Sequence, residues 1–412
     1  MARHAAASSL DVVVGGGSLA GLSAALLLLR AGHNVQLYER SPTQDRSHRG
    51  AGIVLQRHVL DFFRVMDLAP PDAMSVRCER RQYLDREGGV TRKEDYTQRM
   101  TSWSVLYKAL KDAFPVDRYH SGSPVSGFSE DKNQVEVQLE GGASVPADLF
   151  VAADGPRSVV RHQLLPDVEK RYAGYVAWRG VVPERELPAN VAATLMGRFT
   201  FFHGPGTQIL SYLIPGPGGS LAPGERDMNW VWYWNYPTDA ELAPVLTDAG
   251  GQRHADALPG DRLRPQVWEQ QKERARAHLP PQFAQLVALT RQPFVQTIND
   301  LAVPAMAHGR VALIGEAAFI PRPHTAASAD QAFANALGLG EAMASVAPSE
   351  VPSVLKRWEA EQMQYGQYLQ ELGQTLGNRS QFGDPRQVLD LSKLKNRGRP
   401  ADAPMGTARS GS

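Results

Sequence analysis

The first informative part of the chain, residues 10–40, constrains the fold more than any other feature. Residues 11–14 read Asp-Val-Val-Val, a β-branched run typical of a buried parallel strand. Four small residues at 15–18 follow, and an Ala/Leu-rich segment without proline then predicts a helix over 19–30. A second strand is predicted over 35–39. This order is a β-α-β unit, so the sequence predicts an α/β fold with a Rossmann-type domain.

A glycine-rich loop lies between that first strand and its helix. Gly16-x-Ser18-x-x-Gly21 matches the phosphate-binding pattern with a serine at the middle position, and the alternative register begins one residue earlier, at Gly15. Small residues let the backbone approach a pyrophosphate, while the helix N-terminus supplies N–H groups and a positive dipole. Glu39 ends the second strand, where a carboxylate can hold the hydroxyl pair of a ribose. The loop therefore predicts dinucleotide binding rather than an ordinary tight turn.

Two more acidic residues stand at the ends of predicted buried strands. Asp154 follows a strand predicted over 147–153, and Glu316 follows one predicted over 311–314. Open α/β sheets bind ligands at the carboxyl edge of their strands, so each carboxylate can approach the sugar chain of a cofactor. Either residue alone is typical of a solvated turn, and the combination with the glycine-rich loop makes both informative.

Aromatic residues are concentrated in the segment 171–293. The run Trp-Val-Trp-Tyr-Trp at 230–234 favours strands, and the charged, amphipathic residues 262–289 predict helix. We expect a mixed sheet with covering helices that forms a separate, substrate-facing layer. The aromatic side chains either wall a pocket for a flat ring or fill the core behind the sheet, and both alternatives stay open. The residues concerned are Trp178, Phe199, Phe201, Phe202, Tyr212, Trp230, Trp232, Tyr233, Trp234 and Tyr236.

Composition excludes several classes of protein. The 412 residues include 44 Lys and Arg against 43 Asp and Glu, and the net charge of +1 argues against a nucleic-acid binder. The single cysteine, Cys78, excludes a disulfide framework and a thiolate-rich zinc or iron–sulfur site, and no metal site is predicted. No apolar run reaches the roughly 18–20 residues of a membrane helix, and the N-terminus lacks the apolar core of a secretion signal. We therefore expect a cytoplasmic protein without a membrane partner.

Three motifs together resemble the FAD-dependent aromatic hydroxylases, the single-component class typified by para-hydroxybenzoate hydroxylase. They are Gly-Gly-Ser-x-x-Gly-Leu at 16–22, Ala-Asp-Gly-x-x-Ser-x-x-Arg at 153–161 and Leu-Ile-Gly-Glu-Ala-Ala at 313–318. The likeness extends from about residue 10 to about residue 373. Within the class, residues 172–180, 232–235 and 321–327 are similar to hydroxylases of dihydroxypyridines.

The resemblance implies a glutathione-reductase-like, Rossmann-type FAD-binding domain with an inserted mixed β-sheet substrate domain and a C-terminal helix. The FAD-binding domain is expected to comprise residues 10–75, 104–170 and 296–345, and the substrate domain residues 76–103 and 171–295. Residues 346–395 are expected to form the C-terminal helical segment. Residues 396–412, polar and rich in Gly, Pro and Ala, are expected to be a disordered tail.

The resemblance also implies which residues hold the FAD. The glycine-rich loop would cradle the pyrophosphate, Glu39 would hold the adenosine ribose and Arg40 would flank the adenine. Asp154 would lie near the pyrophosphate, and Glu316 would hold the ribityl chain. Backbone N–H groups from 323 to 327 would face the N1/O2 edge of the isoalloxazine, where a helix start stabilises negative charge. The expected cofactor-binding residues are Gly16, Gly17, Ser18, Leu19, Ala20, Gly21, Glu39, Arg40, Gly52, Asp154, Gly315, Glu316, Pro323, Ala326 and Ala327.

The implied activity is a monooxygenation that consumes NAD(P)H and O2. FAD is expected to stay tightly but non-covalently bound and NAD(P)H to bind transiently. A flavin C4a-hydroperoxide would then hydroxylate an electron-rich, hydroxylated aromatic or N-heteroaromatic ring, with or without decarboxylation. The base candidates are His324, beside the flavin edge, His48 and His203, because an unperturbed imidazole titrates near pH 6.5. Tyr212 is a candidate proton relay, and Arg322 is a candidate partner of a substrate oxyanion. The resemblance also implies a homodimer, which is common in the family.

Several positions depart from the pattern of the family. Glu316 stands where Asp is usual, Asn335 where a second acid is common, and Ser328 with Ala329 where a Gly-Gly pair is. Asp330 adds a negative charge near the expected flavin edge. These changes either weaken FAD retention or are neutral in a repacked pocket. Two alternatives therefore remain, a flavin oxidoreductase that does not oxygenate and a flavin-poor, non-catalytic binding homologue.

Overall fold

The computed structural model describes residues 9–42 and 52–383. Within these ranges the chain forms two large β-sheets, a three-stranded sheet (β7-β8-β9) and the helices that cover them. The strands are β1 (Asp11–Gly15), β2 (Asn34–Glu39), β3 (Gly52–Val54), β4 (Val76–Leu84), β5 (Val90–Ser102), β6 (Tyr119–Ser121), β7 (Val125–Glu130), β8 (Val135–Leu139), β9 (Ser144–Ala147), β10 (Leu149–Ala152), β11 (Arg171–Pro183), β12 (Arg198–Gly204), β13 (Thr207–Ile214), β14 (Asp227–Asn235), β15 (Ala257–Leu258), β16 (Phe294–Ala302), β17 (Ala307–His308), β18 (Val311–Leu313) and β19 (Phe319–Ile320). The helices are α1 (Leu19–Arg30), α2 (Arg57–Val65), α3 (Trp103–Ala113), α4 (Val159–Leu164), α5 (Ala189–Leu195), α6 (Asp239–Leu246), α7 (Pro265–His278), α8 (Pro281–Leu289), α9 (Ser328–Met343) and α10 (Val351–Phe382).

The first sheet carries the predicted β-α-β unit. Its strand order is β17-β18-β10-β1-β2-β6, and every neighbouring pair except β17 and β18 runs parallel. β1 lies between β10 and β2 with its three valines buried, which explains the uninterrupted β-branched run. α1 packs beside α9, and most of its residues are buried because Ala and Leu occupy them. The α/β fold class predicted from the sequence is confirmed.

The second sheet is mixed, as predicted. Its order is β15-β16-β11-β14-β13-β12-β4-β5-β3, with β19 paired to β16. β4 and β12 run parallel, whereas the other neighbours run antiparallel. β3 and the whole of β16 belong to this sheet, although the predicted boundaries assign residues 52–54 and 296–302 to the FAD-binding domain. The division into domains therefore stays a prediction.

Alternation along the strands separates the aromatic side chains of the second sheet onto two faces. On the back face, Trp178, Trp230 and Trp232 are fully buried against α7 and α8. Full burial of a large apolar side chain contributes about 1.5–3 kcal/mol, so these rings are core residues. The front face, which points towards the turn before α9, carries the rings that remain for a pocket. The back-face rings are Trp178, Phe202, Trp230, Trp232, Trp234 and Tyr236, and the front-face rings are Phe199, Phe201, Tyr212 and Tyr233.

The long helix α10 joins the two sheets. It packs against α9 and then reaches the second sheet, where the Asn235 side-chain amide donates to the Gln381 carbonyl oxygen at 2.9 Å. The predicted C-terminal helix is confirmed and extends to Phe382. The expected tail, 396–412, lies outside the described residues. In the described part of the chain, no helix is both long and apolar enough to cross a membrane.

Candidate active site

The glycine-rich loop closes tightly onto two strand ends. Gly16 has a φ of 109°, and its N–H donates to the Tyr38 carbonyl oxygen at 2.7 Å. A Cβ at Gly16 would lie 2.3 Å from the Ala153 carbonyl oxygen, and a Cβ at Gly21 would lie 1.8 Å from the Gly16 carbonyl oxygen. Backbone atoms therefore exclude a side chain at both positions. This geometry favours the register Gly16-x-Ser18-x-x-Gly21 over the alternative that begins at Gly15.

The N-terminus of α1 is open towards this loop. Ser18 precedes the helix, its side chain makes no capping hydrogen bond, and the first turn contains no acidic residue. Leu19 is buried in the core, and a Cβ at Gly315 would lie 2.8 Å from Ala20 Cβ, so the first motif abuts the third. An uncapped helix start walled by glycine backbone fits a pyrophosphate, the part of FAD that the sequence predicts there.

Glu39 ties the loop to the end of β2. Its Oε2 accepts a hydrogen bond from the Gly17 N–H at 2.7 Å, and its Oε1 accepts one from the Ser41 N–H at 2.8 Å. A Cβ at Gly17 would lie 3.0 Å from Glu39 Cβ, so a larger residue at position 17 would crowd the Glu39 side chain. Arg40, the next residue, is exposed. Glu39 therefore orients the loop at the strand end where the sequence predicts a ribose.

Asp154 and Arg161 connect the second motif to its surroundings. Asp154 Oδ2 accepts a hydrogen bond from the Val159 N–H at 2.8 Å, while its Oδ1 is buried without a partner among the described residues. Burial raises the pKa of the Asp154 carboxyl group. Arg161 Nη1 donates to the Ala317 carbonyl oxygen at 3.0 Å, which links the end of β10 to the third motif. An orphaned buried oxygen beside the glycine-rich loop is an acceptor that a bound ligand would satisfy.

Glu316 projects into a recess from a turn that Asn335 holds. Gly315 has a φ of 59°, and its N–H donates to Asn335 Oδ1 at 3.0 Å, while Asn335 Nδ2 donates to Gln362 Oε1 at 2.9 Å. The Glu316 side chain is solvent-accessible yet enclosed by protein, and this enclosure raises its pKa, against the opposing charge of Arg179. An amide at 335 therefore fixes the turn without adding a second negative charge next to Glu316.

The Asp330 carboxylate is engaged away from the expected flavin edge. Its Oδ1 accepts hydrogen bonds from the N–H groups of His58 and Val59, at 2.8 and 3.3 Å. Its Oδ2 contacts His58 Nδ1 at 2.7 Å and accepts a hydrogen bond from the Tyr365 hydroxyl at 2.8 Å. The side chain caps the N-terminus of α2, where a negative charge is stabilised. The geometry favours the neutral alternative for this departure from the family pattern.

The turn before α9 is held from two sides. Arg322 Nε and Nη2 donate to Asp300 at 2.9 and 2.7 Å, and Arg322 Nη1 donates to Asn378 Oδ1 at 2.8 Å. Gln56 Nε2 donates to the Ala326 carbonyl oxygen at 2.6 Å, next to a left-handed φ of 52° at Ala326. Arg322 is thus engaged within the fold, which makes it a poor candidate for meeting a substrate oxyanion; Arg49, the other candidate for that role or for the nicotinamide phosphates, lies outside the described residues. The same turn contains Pro323 and Ala327.

Front-face side chains lie beneath this turn, and we interpret the space between them and the turn as the candidate substrate recess. The register pairs Arg179 with Val231 and Val231 with Leu210, so the three stand in one row across β11, β14 and β13. Tyr233 follows Val231 on the same face, and His324 stacks on it with ring centroids 4.1 Å apart. The result is a short apolar row that contains one guanidinium, flanked by Phe294 and Val231, with a stacked imidazole alongside, an arrangement suited to a flat, polar-edged ring.

Tyr212 borders the other side of the row. The Gly52 N–H donates to Asn229 Oδ1 at 3.2 Å, and a Cβ at Gly52 would lie 2.7 Å from Tyr212 Cε2, so β3 lies directly over the tyrosine. Burial raises the pKa of Tyr212. Its hydroxyl therefore stays protonated and can donate a hydrogen bond.

Two of the predicted histidine bases are neutral at physiological pH. Both ring nitrogens of His324 are buried without a hydrogen-bond partner in the described chain, and burial with the nearby charge of Arg322 lowers its pKa to about 3. The His203 ring is solvent-accessible at one side but enclosed by protein elsewhere, which together with Arg379 lowers its pKa to about 4. A neutral imidazole accepts a proton, although a pKa this low makes it a weak base. His48 lies outside the described residues.

These two histidines predict a loss of stability in acid. The pKa values of about 3 and about 4 for His324 and His203 lie below the unfolded value of 6.5, so the unfolded chain binds more protons between these limits. We expect the melting temperature to fall as the pH drops from about 6.5 to about 4, and to fall less steeply in His324→Asn. His162→Asn, on the exposed surface of α4, is the control. Equal pH slopes for His324→Asn and wild type would contradict the assignment.

The chain is similar to proteins of known activity over nearly its whole length. A family described as FAD binding domain-like matches residues 172–300. A 2,6-dihydroxypyridine 3-monooxygenase from Paenarthrobacter nicotinovorans is 34% identical over 377 residues, which cover 90% of this chain and 92% of that protein. The chain belongs to the FAD-dependent aromatic hydroxylases.

Solved structures agree with this assignment. A 2,6-dihydroxypyridine-3-hydroxylase from Arthrobacter nicotinovorans superposes on this hydroxylase with a TM-score of 0.88 and 31% identity, over 98% of this chain and 100% of that one. A salicylate hydroxylase solved with its substrate shares the fold, with a TM-score of 0.74 and 18% identity over 95% and 93% of the chains. This hydroxylase is a flavoprotein monooxygenase that uses FAD, NAD(P)H and O2. Neither the non-oxygenating nor the flavin-poor alternative is favoured.

Sequence reasoning missed three residues of the recess. Arg179 and Asn229 lie on the front face, and Gln56 holds the turn before α9, with its Oε1 buried and unpartnered within the described ranges. The alternation of Trp178 and Arg179 was the one available signal, because a residue next to a core tryptophan in a strand must point to the opposite face. No local pattern marks Gln56 or Asn229, since their partners are distant in sequence.

Proposed function

We propose that this hydroxylase acts on a hydroxylated N-heteroaromatic ring of the pyridine class. The supporting observation is the recess on the front face, whose floor of Val231 and Leu210 is apolar. Its edges carry Arg179, Tyr212 and His324, groups that pair with ring oxygens and ring nitrogens. The similarity to dihydroxypyridine hydroxylases supports the same class of substrate.

The proposed reaction inserts one atom of O2 into a ring C–H bond. Ring, O2, NAD(P)H and a proton give the hydroxylated ring, water and NAD(P)+, so the nicotinamide supplies the two electrons that reduce the second oxygen atom. FAD, when bound, supplies the transfer of electrons to O2 and of oxygen to the ring. The protein must place the ring, keep water out and receive the hydroxyl proton of the ring.

For the cofactor, we propose that the three strand ends of the first sheet hold the pyrophosphate and sugar chain. Gly16 and Gly21 leave room for the pyrophosphate at the start of α1, and the orphaned Oδ1 of Asp154 lies at the neighbouring strand end. Glu316 is suited to the ribityl chain because its side chain is solvent-accessible and no ion pair engages its carboxylate within the described residues. The turn at 323–327 would face the isoalloxazine with N–H groups at the start of α9.

For the substrate, we propose that His324 receives the proton of the ring hydroxyl. Its imidazole is held against Tyr233, and its two buried ring nitrogens are unpartnered in the part of the chain described. Tyr212 stays protonated and would donate a hydrogen bond to a ring oxygen. Removal of the hydroxyl proton makes the ring richer in electrons and hence more easily attacked by an oxygen electrophile.

A substrate screen tests the proposal. We expect 2,6-dihydroxypyridine and 6-hydroxynicotinate to stimulate NAD(P)H oxidation by the FAD-loaded protein, and pyridine, which lacks a hydroxyl, to give no stimulation. A site that hydrogen-bonds a substrate hydroxyl rejects the analogue without it by several orders of magnitude, up to about 10⁴–10⁵ in kcat/KM. Higher kcat/KM values for 4-hydroxybenzoate or salicylate than for any hydroxypyridine would contradict the proposed ring class.

The homodimer remains a prediction from the family resemblance, and the cytoplasmic location remains a prediction from composition. Light scattering on the eluted holoenzyme distinguishes a monomer from a dimer.

A further inference from the structure

We propose that Arg179 is the anion-recognition residue of the recess, so that the ring is held as an anion there and the oxygen left charged by loss of its proton to His324 pairs with the guanidinium. This inference rests on the proposed function, because it concerns the ring that the same recess binds. It names the ionisation state of the substrate, which the proposed ring class leaves open.

The position of Arg179 follows from the register of the second sheet. Arg179 lies opposite Val231 on one side and Phe294 on the other, on the face opposite to the fully buried Trp178. Its row continues through Val231 to Leu210, which are apolar side chains. Arg179 is therefore the charged member of an otherwise apolar row that runs from Phe294 through Val231 to Leu210, and its guanidinium can pair with a charged oxygen on a flat molecule that lies there.

Arg179 differs from the other arginines of the interior. Its Nε is buried without a hydrogen-bond partner among residues 9–42 and 52–383, and no ion pair joins it to a described carboxylate. Nε of Arg161 and of Arg310 is also buried and unpartnered among the described residues, but each fully buried arginine bonds through another guanidinium nitrogen, or through Nε itself, to a fixed acceptor of the fold. These contacts are Arg81 to Gln98, Arg161 to Ala317, Arg310 to Asp148 and Arg322 to Asp300. Arg179 is partly buried, and enclosing a charge without a partner is costly, so its counter-charge is expected from a ligand.

The groups that face Arg179 are two tyrosines, one histidine and one acidic residue. The tyrosines Tyr212 and Tyr233 stay protonated because burial raises the pKa of both, and His324 is neutral. Glu316 is the acidic group coupled to Arg179, but no salt bridge joins them within the described chain, and enclosure raises the Glu316 pKa. A ring oxyanion in the recess would therefore meet the Arg179 guanidinium and two hydroxyl donors.

Replacement of Arg179 by methionine tests the pairing without emptying the space. The Kd of 2,6-dihydroxypyridine is measured from the change in the visible flavin spectrum of the holoenzyme. We expect this Kd to rise about 30-fold or more, because removal of one partner of a buried charge pair has an effect of that size. The Kd of 2,6-dimethoxypyridine, which cannot ionise at oxygen, should change little. Arg179→Lys should fall between, because lysine keeps the charge and loses the planar fork.

The matched control is Arg171→Met, on the exposed first residue of the same strand β11, and it should bind both rings like wild type. FAD content and circular dichroism of each variant show whether the fold is intact. An unchanged Kd of 2,6-dihydroxypyridine in Arg179→Met would overturn the proposal. So would loss of FAD with normal ring binding after FAD is restored, since Arg179 would then serve the cofactor.

Failure of the proposed function gives a different result. If wild type retains FAD but binds neither ring, the pyridine class is wrong, and the assignment of Arg179 to a ring anion is overturned with it. If wild type binds and hydroxylates 2,6-dihydroxypyridine while Arg179→Met does so equally well, the proposed function stands and only this inference fails.

Discussion

Replacing Gly21 by valine is expected to yield a destabilised protein that retains little FAD. A Cβ at this position would lie 1.8 Å from the Gly16 carbonyl oxygen, so the loop must open away from α1. Overpacking against side chains costs about 1–3 kcal/mol, and a clash with backbone cannot be relieved by a change of rotamer. The opened loop would no longer present its N–H groups to a pyrophosphate. Flavin absorbance per mole of protein and urea unfolding measure the two effects.

The control for Gly21 is Gly250→Val. Gly250 lies in an exposed loop, its φ is not positive, and the closest contact of an added Cβ is a side-chain oxygen, Asp248 Oδ1 at 3.3 Å. This variant should retain FAD, and its midpoint of urea unfolding should lie near that of the wild type. If Gly21→Val purified with a full equivalent of FAD, the assignment of the loop to the cofactor would be contradicted.

Replacing Arg322 by methionine should lower the free energy of unfolding by about 3–5 kcal/mol, because it leaves the buried Asp300 carboxylate without its partner. The pair is bidentate, with distances of 2.9 and 2.7 Å, and both side chains are almost completely inaccessible to solvent. Since Arg322 precedes the turn that carries His324, we also expect a lower kcat with 2,6-dihydroxypyridine. Urea unfolding and steady-state kinetics measure the two effects.

A second substitution separates the buried charge from the lost packing. Adding Asp300→Asn to Arg322→Met removes the uncompensated carboxylate and should restore part of the stability. The exposed pair of Arg253 and Asp239 is the comparison, since Arg253→Met should cost at most about 1 kcal/mol. An Arg322→Met variant as stable as Arg253→Met would show that the buried pair does not stabilise the turn.

The parts of the fold that were predicted correctly are those with local signals. The strand over residues 11–14, the glycine-rich loop and the helix after it lie within a few residues of one another, and each has its own composition. The same holds for Asp154 and Glu316, which directly follow buried strands. The parallel strands then bring these three ends to one edge of the sheet, where Gly16 contacts Ala153 and Gly315 contacts Ala20.

The parts that were missed depend on partners far away in the chain. Asp330 stands in the first turn of α9, and its role as the cap of α2 could not be predicted because its partner, His58, is 272 residues away. The sequence offers Arg322 as a partner of a substrate oxyanion. In the structure it pairs with Asp300, which lies on β16 of the second sheet. The aromatic side chains of the second sheet could be assigned to its two faces only from the register of the strands. Composition alone does not distinguish a core tryptophan from a pocket tyrosine.

The central claim is that this hydroxylase inserts oxygen from O2 into a hydroxylated pyridine ring. The most direct test is a reaction of the FAD-loaded protein with NADH or NADPH and 2,6-dihydroxypyridine under isotopically labelled dioxygen, followed by mass spectrometry of the product. We predict one labelled oxygen atom in each hydroxylated ring, formed in proportion to the nicotinamide oxidised. Nicotinamide oxidation that yields hydrogen peroxide and no labelled ring, for this and every other hydroxypyridine tried, would contradict the account.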